Sequence, residues 1–301
     1  MQQTSPLARA GRALEPLAWV GPAVVLIAVV VVWPVIVMIQ SSFLKISRFG
    51  VVRGANGVDN YTKLFAEPDF GGVMIRSLIW VVAVVGLTVV LSLALAQLFN
   101  QRFPGRNIAR WALIAPWAAS VLMTAIIFKW MLDPEVGLIN MILHDLGILD
   151  AMGGADADPL GKASTAFPWL IGVAVFVSLP FTTYALLAGL ATIPADVYEA
   201  ARMDGASKAR IYFSITLPLL RPALTVAMLI NVMNVFNSFP IIWVMTHGQP
   251  GYSTATSTIF MYILKGSDIG ESAAMSVVNF GMVVVLVAVF LKVARWNRQV
   301  A

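Results

Sequence analysis

Cysteine is absent from this 301-residue chain. That excludes disulfides and thiolate metal or redox centres. Charge is scarce as well. Only 12% of residues are Asp, Glu, Lys or Arg, where a soluble domain carries about 25%. With 59% of residues hydrophobic, the chain cannot cover a globule of its size with hydrated surface, so most of its apolar area must face lipid. Histidine is limited to His144 and His247, far apart in polar segments, which gives no metal-ligand cluster. There is no Gly-x-x-x-x-Gly-Lys-Ser/Thr loop, so the chain cannot bind ATP through a P-loop of its own. No Ser/His/Asp set or pair of carboxylates shares one membrane depth. Composition thus points away from an enzyme. It also points away from nucleic acid, because the net charge of +5 is distributed as membrane topology requires.

What is present is a series of long apolar runs. A spanning helix needs about 20 mostly apolar residues. Six runs qualify: 17–43, 77–99, 111–132, 167–190, 223–245 and 274–294. The expected fold is an all-α polytopic membrane protein with six transmembrane helices. The short polar turn between Phe99 and Trp111 makes a hairpin of the second and third helices. The first run is too long for the apolar core of a signal peptide and has no convincing cleavage site after it, so it is kept as a membrane helix. Pro22, Pro34, Pro116, Pro180 and Pro240 lie within the runs. A membrane bundle tolerates them because neighbours satisfy the freed carbonyls, and kinks are expected at Pro180 and Pro240. No low-complexity linker divides the chain, which reads as one transmembrane domain over 1–301.

Orientation follows Lys and Arg. With the N-terminus inside, the inner segments hold Arg9, Arg12, Arg102, Arg106, Arg110, Arg202, Lys208, Arg210, Arg221, Lys292, Arg295 and Arg298. The outer segments hold Lys45, Arg48, Arg53, Lys63, Arg76, Lys162 and Lys265. Both termini are therefore expected in the cytoplasm, with 1–16 as a cytoplasmic tail and 191–222 as a cytoplasmic segment. Asp133, Glu135, Asp145, Asp150, Asp156 and Asp158 crowd the second outer loop, a weaker indication, since carboxylates contribute little to topology.

The 191–222 segment is the most informative part of the chain. Pro194 suits the start of a helix, Asp196 suits its dipole, and Gly205 can end it in a left-handed conformation. Ala200 and Ala201 are small enough for another backbone to approach. The expected product is a short helix lying across the cytoplasmic face, tied to the fourth and fifth spans. On residues alone it could be an ordinary inter-helix loop. The string Tyr198-Glu199-Ala200-Ala201-Arg202-Met203-Asp204-Gly205-Ala206, followed by Phe213, Ile215, Leu217-Pro218 and Pro222, resembles the EAA loop of permease subunits in bacterial ABC importers. The resemblance implies a type I importer permease fold in the bacterial plasma membrane. It also implies an ATPase-docking role for Glu199, Ala200, Ala201, Asp204, Gly205 and Ala206. ATP and Mg²⁺ would then belong to a partner ABC ATPase dimer, and this chain would bind no cofactor.

Three further stretches are similar to carbohydrate-importer permeases: Asn60-Tyr61-x-x-Leu64-Phe65, then Trp130 with Gly137-Leu138-Ile139-Asn140, and Thr246-His247-Gly248-Gln249-Pro250-Gly251, where Gln249 stands in place of a family glycine. With them the resemblance extends from Trp19 to the end of the sixth span. It is closest to the partner without a large extra outer domain, as in maltose- and glycerol-phosphate-type importers. It implies a second permease subunit, an extracytoplasmic sugar-binding protein, and a carbohydrate substrate such as the disaccharide trehalose.

Intramembrane polar residues mark candidate pathways. Asn231, Asn234 and Ser238 share one face of the fifth span by i, i+3, i+7 spacing. Ser178, Phe181 and Tyr184 lie on the fourth, Ser178 and Phe181 on one face. The resemblance points to the same region, near Ala174, Val177, Ser178 and Phe181 and near Asn231, Asn234 and Ser238. Two readings stand for each residue: lining of a sugar pathway, or hydrogen bonding between helices. Lys129 could pair with Asp133 four residues on or reach the interface along its stem. Trp111, Trp117, Trp130 and Trp243 read as interfacial aromatics, with sugar stacking a further option for Trp243. The alternative function is an ion-coupled carrier of a polar solute. It calls for buried Asp, Glu or His, whereas the fifteen carboxylates fall in loops or at helix ends. A channel would need a filter or charge ring, and the sequence has neither.

Overall fold

The computed structural model describes residues 19–148 and 158–299, with side chains as far as Lys292. The expected tail 1–16 with Arg9 and Arg12, and the acidic residues Asp150 and Asp156, lie outside the described residues. So do the side chains of Arg295 and Arg298. In chain order the elements are α1 (Trp19–Ser42), β1 (Leu44–Ile46), β2 (Val52–Ala55), α2 (Asp59–Ala66), α3 (Phe70–Asn100), α4 (Arg106–Ala118) and α5 (Val121–Met131). These are followed by α6 (Leu138–Asp145), α7 (Ala163–Ala191), α8 (Ala195–Met203), α9 (Lys208–Ile211), α10 (Leu217–Phe236), α11 (Phe239–Thr246), α12 (Ser257–Lys265) and α13 (Ile269–Gln299). Among the described residues, five helical stretches are long and apolar enough to cross a membrane, and six if the bent α4–α5 pair counts as one. The fold is a polytopic helical membrane protein.

The described residues fall into two compact units. One comprises α1, the β-hairpin, α2 and residues 261–278. The all-α expectation omits its hairpin, in which Leu44 pairs with Ala55 and Ile46 with Val52 across a bulge. The Asn60-Tyr61-x-x-Leu64-Phe65 stretch holds that hairpin to α1. Asn60 is fully buried and donates through Nδ2 to the carbonyls of Ser42 at 2.8 Å and Leu44 at 2.9 Å. The Tyr61 and Ser42 hydroxyls share a hydrogen bond of 2.7 Å, and Leu64 is fully buried. The spacing thus serves a packing need: an amide reaches two carbonyls that end a helix and begin a strand.

The second unit, 68–260 with 279 onward, is a bundle around α3, α7 and α10. Side-chain hydrogen bonds fasten its buried faces. Trp80 on α3 donates Nε1–H to the Val235 carbonyl at 2.9 Å, and Asn231 on α10 donates to Thr182 Oγ1 on α7 at 2.7 Å. At one end Ala96, Leu186, Leu190 and Leu220 form a buried cluster. Gly189 lets α7 and α10 meet there: a Cβ at that position would stand 2.5 Å from the Ala223 Cβ and 2.8 Å from Leu220 Cδ1. Small residues at helix crossings give membrane bundles their close packing.

Prolines shape the spans differently from simple kinks. Before Pro34 and again before Pro218 the helix passes through a π turn, Ala28–Val32 and Tyr212–Thr216. In each the residue ahead of proline bonds five back, Trp33 to the Ala28 carbonyl and Leu217 to that of Tyr212. A proline supplies no N–H, and the wide turn absorbs the resulting mismatch. The helix of the fifth span, read from the sequence as 223–245, therefore begins at Lys208 and runs on through this turn. Pro180 lies inside continuous α7.

The expected third span, 111–132, is not one helix. α4 and α5 meet at 99°. Pro116 lies three residues before the stop at Ala119, and Ser120 caps α5 by accepting the Met123 N–H. A capping serine after a helix-interior proline restarts the helix in a new direction. The fifth span also breaks, at Asn237–Ser238, with Pro240 at the start of α11.

Candidate functional site

The two breaks meet at one cavity. Its volume is about 540 Å³. Trp117 and Val121 flank the α4–α5 break. Ala174, Val177, Ser178 and Phe181 come from α7. Asn231, Asn234 and Val235 come from α10, while Asn237, Ser238, Pro240 and Ile241 belong to the α10–α11 break. Of the six residues expected along the pathway, five (Ser178, Phe181, Asn231, Asn234, Ser238) therefore line one space. Tyr184 does not. Its hydroxyl donates to the Arg110 carbonyl at 3.0 Å and ties α7 to α4, a bracing role.

The lining residues differ in freedom. Asn231 is buried, and its amide nitrogen is engaged by Thr182 Oγ1 and by the Ala227 carbonyl at 3.0 Å. It therefore makes the expected hydrogen bond between helices and also borders the cavity. Ser178 gives its hydroxyl proton to the Ala174 carbonyl at 2.8 Å, leaving oxygen lone pairs for a visitor. Asn234 is exposed and is the freest amide on the face. Asn237 bonds back to the Met233 carbonyl at 3.0 Å, which helps end α10. The wall is mixed: aromatic side chains from Trp117 and Phe181, amides from Asn231, Asn234 and Asn237, and hydroxyls from Ser178 and Ser238. Such a wall suits a ligand with apolar C–H faces and many hydroxyls. Discontinuous helices at a binding site are a recurring solution in transporters, because a break is tolerated where it lines a cavity.

Trp117 carries a role beyond the interfacial one read for it with Trp111 and Trp130: it is 57% exposed, against 72% for the other two, and it also borders the cavity. The signal that could have found it is Pro116 followed within four residues by Ser120, which marks the break. Trp243 stacks on Phe239 at 5.4 Å and meets His247 edge-on; it is not among the cavity residues. Lys129 neither pairs with Asp133 nor simply reaches outward. It donates to the Val244 carbonyl at 3.1 Å, in the last turns of α11, where the helix dipole favours a cation. Asp133 instead accepts the N–H groups of Glu135 and Val136.

At the far end of the bundle, α8 is the short helix expected within 191–222. Pro194 is its N-cap and Asp196 lies in its first turn. It ends in a paired-bond stop: Gly205, at φ +73°, donates to the Arg202 carbonyl, and Ala206 to that of Ala201, each at 3.0 Å. That pattern satisfies two carbonyls that the helix end would leave bare. Glu199, Ala200, Asp204 and Gly205 are exposed and Ala206 is half-buried. Ala201 is buried against its own chain, so its small side chain serves internal packing, not an outside surface. Met203, which sequence reasoning passed over, is 87% exposed on this same helix.

Comparison with known proteins agrees with this architecture. Residues 86–299 match the family of binding-protein-dependent transport system inner membrane components. A probable ABC transporter permease protein of Brucella suis biovar 1 is 40% identical, covering 92% of this chain and 96% of that one. The trehalose/maltose transport system permease protein MalF of Thermococcus litoralis is 33% identical, covering 92% of each. Among solved structures, a chain of a bacterial alginate ABC transporter, in complex with an alginate pentasaccharide-bound periplasmic protein, superposes with a TM-score of 0.77. It is 20% identical, covers 95% of this chain and 96% of its own, and shares the fold. The chain thus belongs to the family of binding-protein-dependent transport system inner membrane components, and it is a multi-pass membrane permease subunit of an ABC transporter rather than an enzyme.

Proposed function

We propose that this subunit forms one half of the pathway of an ATP-driven carbohydrate importer. The observation that carries the proposal is the cavity at the two helix breaks, lined by the aromatic residues Trp117 and Phe181 and by the polar residues Ser178, Asn231, Asn234 and Ser238. A sugar needs both: aromatic faces for its C–H surface, and amides or hydroxyls in place of lost water. The trehalose/maltose system of the Thermococcus relative supports a disaccharide such as trehalose as the cargo. A second permease would supply the opposite wall, and an extracytoplasmic binding protein would deliver the sugar.

In this reading both termini and α8 lie in the cytoplasm, as the Lys and Arg distribution favours. Glu199, Ala200, Asp204, Gly205 and Ala206 present α8 to one subunit of an ABC ATPase dimer, which binds ATP and Mg²⁺. α8 is joined to α7 through Thr192 and Pro194 and to α10 through α9. Closure of the ATPases would therefore move α7 and α10, the helices that carry Ser178, Phe181, Asn231 and Asn234, and would change access to the cavity.

The test is uptake of labelled disaccharides into proteoliposomes holding the complete transporter, with the binding protein outside. Saturable, ATP-dependent uptake, with KM raised for Asn234→Ala and assembly intact, is expected. Unchanged kinetics for Asn234→Ala and Phe181→Ala would remove the cavity from the pathway.

A further inference from the structure

A second cavity, of about 400 Å³, lies at the end of the bundle that carries α8. Gln97 and Asn100 line it from the last turn of α3, and Gln101 from the residue that caps it. Tyr198 and Arg202 come from α8, and Lys208 and Tyr212 from α9 and its π turn. No carboxylate lines it. Arg202 and Lys208 form no ion pair among the described residues, so two cations face the space without a counter-charge of their own. The Gln97 amide oxygen is buried and lacks a hydrogen-bond partner, which leaves an acceptor that a bound molecule could satisfy.

These features define the visitor. Two unpaired cations call for an anion. The orphan acceptor calls for a donor on the same molecule, and Tyr198 and Tyr212 add phenolic hydroxyls. Tyr198 and Arg202 are four residues apart and share one stripe of α8. Glu199 and Asp204 lie off that stripe, so the cavity and the proposed ATPase-docking surface use different sides of the helix. The cavity also lies where α3 ends its span, and basic pockets between span ends bind lipid phosphate groups.

We propose that this cavity binds a hydroxyl-bearing phosphoester, either the headgroup of phosphatidylglycerol or a free sugar phosphate. Bound between Gln97, Arg202 and Lys208, the ligand links α8 and α9 to the end of α3. It thereby restrains the helix through which the ATPase acts, and transport slows as the site fills.

The experiment uses the complete purified transporter. Binding of glucose 6-phosphate is measured by calorimetry against inorganic phosphate and glucose at fixed ionic strength. In parallel, uptake is compared in vesicles of phosphatidylcholine alone and with phosphatidylglycerol added. Saturable binding of glucose 6-phosphate, weakened about tenfold or more in Arg202→Gln and Lys208→Gln and kept in Arg202→Lys, identifies the soluble ligand. Slower uptake with phosphatidylglycerol, abolished by the same glutamine variants, identifies the lipid. Gln97→Leu provides a check that leaves both cations in place: preference for glucose 6-phosphate over inorganic phosphate should fall. Absence of any response to either probe, or a response equal in the wild type and the glutamine variants, overturns the proposal.

Discussion

The indole N–H of Trp80 on α3 reaches the carbonyl of Val235 on α10 at 2.9 Å, two residues before that helix stops. The bond fixes the point at which the fifth span breaks, and the break forms one wall of the larger cavity. The same carbonyl accepts the Ser238 N–H at 3.2 Å, so a helix end in an apolar setting has both its partners on the spot. Trp80→Phe keeps an aromatic side chain, deletes one of these partners and leaves the larger indole's buried volume unfilled. It should lower stability by about 1–2 kcal/mol for the hydrogen bond and further for the cavity, read as a reduced melting temperature in detergent, and should reduce uptake more than the loss of stability alone explains.

Gly189 allows α7 and α10 to touch directly above α8. A Cβ there would stand 2.5 Å from the Ala223 Cβ, so Gly189→Ala must separate the helices. Overpacking of this kind costs about 1–3 kcal/mol. A lowered melting temperature for Gly189→Ala, partly restored by adding Ala223→Gly, is the expected result of thermal unfolding of the two variants.

Gly205 separates backbone need from surface need. A Cβ there would meet nothing within 4 Å, so the barrier to substitution is its φ of +73°. That left-handed conformation costs other residues about 1–2 kcal/mol, and asparagine less. Gly205→Asn should keep most transport. Gly205→Glu should abolish uptake and sugar-stimulated ATP hydrolysis while the subunit still assembles in the membrane, because it adds bulk and charge where the ATPase is proposed to dock. Normal uptake by Gly205→Glu would sink the docking role.

Lys129 holds the end of α11 through the Val244 carbonyl. Lys129→Met retains the stem and loses the charge, and should cost about 0.3–1 kcal/mol. Asp133→Asn should have less effect on the α11 end, since Asp133 makes no ion pair with Lys129 among the described residues. Comparing the melting temperatures of the two variants distinguishes a helix-end contact from an ion pair.

Helix placement and the α8 stop were legible in the sequence, because lipid demands long apolar runs and because Pro194, Asp196 and Gly205 each have one favoured place in a short helix. The Asn231/Asn234/Ser238 face was legible by spacing alone. The breaks at Ala119–Ser120 and Asn237–Ser238 were not, since the apolar run continues across both and hydropathy carries no direction. The first break is what brings Trp117 to the cavity, so its place there was hidden with it. Tyr184 and Lys129 each bond a backbone carbonyl on a distant element, and any residue type offers a carbonyl, so no side-chain pattern announces such partners. The β-hairpin escaped because its strands are three and four residues long, too short for alternation to register.

The absence of cysteine makes the central claim directly measurable. Asn234→Cys would place the chain's one thiol in the cavity wall, and its alkylation by a polar maleimide can be timed in the complete transporter. If the cavity is the sugar pathway, labelling is aqueous and fast, and it slows several-fold when binding protein and disaccharide are supplied together, but not when either is supplied alone. A labelling rate indifferent to sugar, binding protein and ATP would contradict the account.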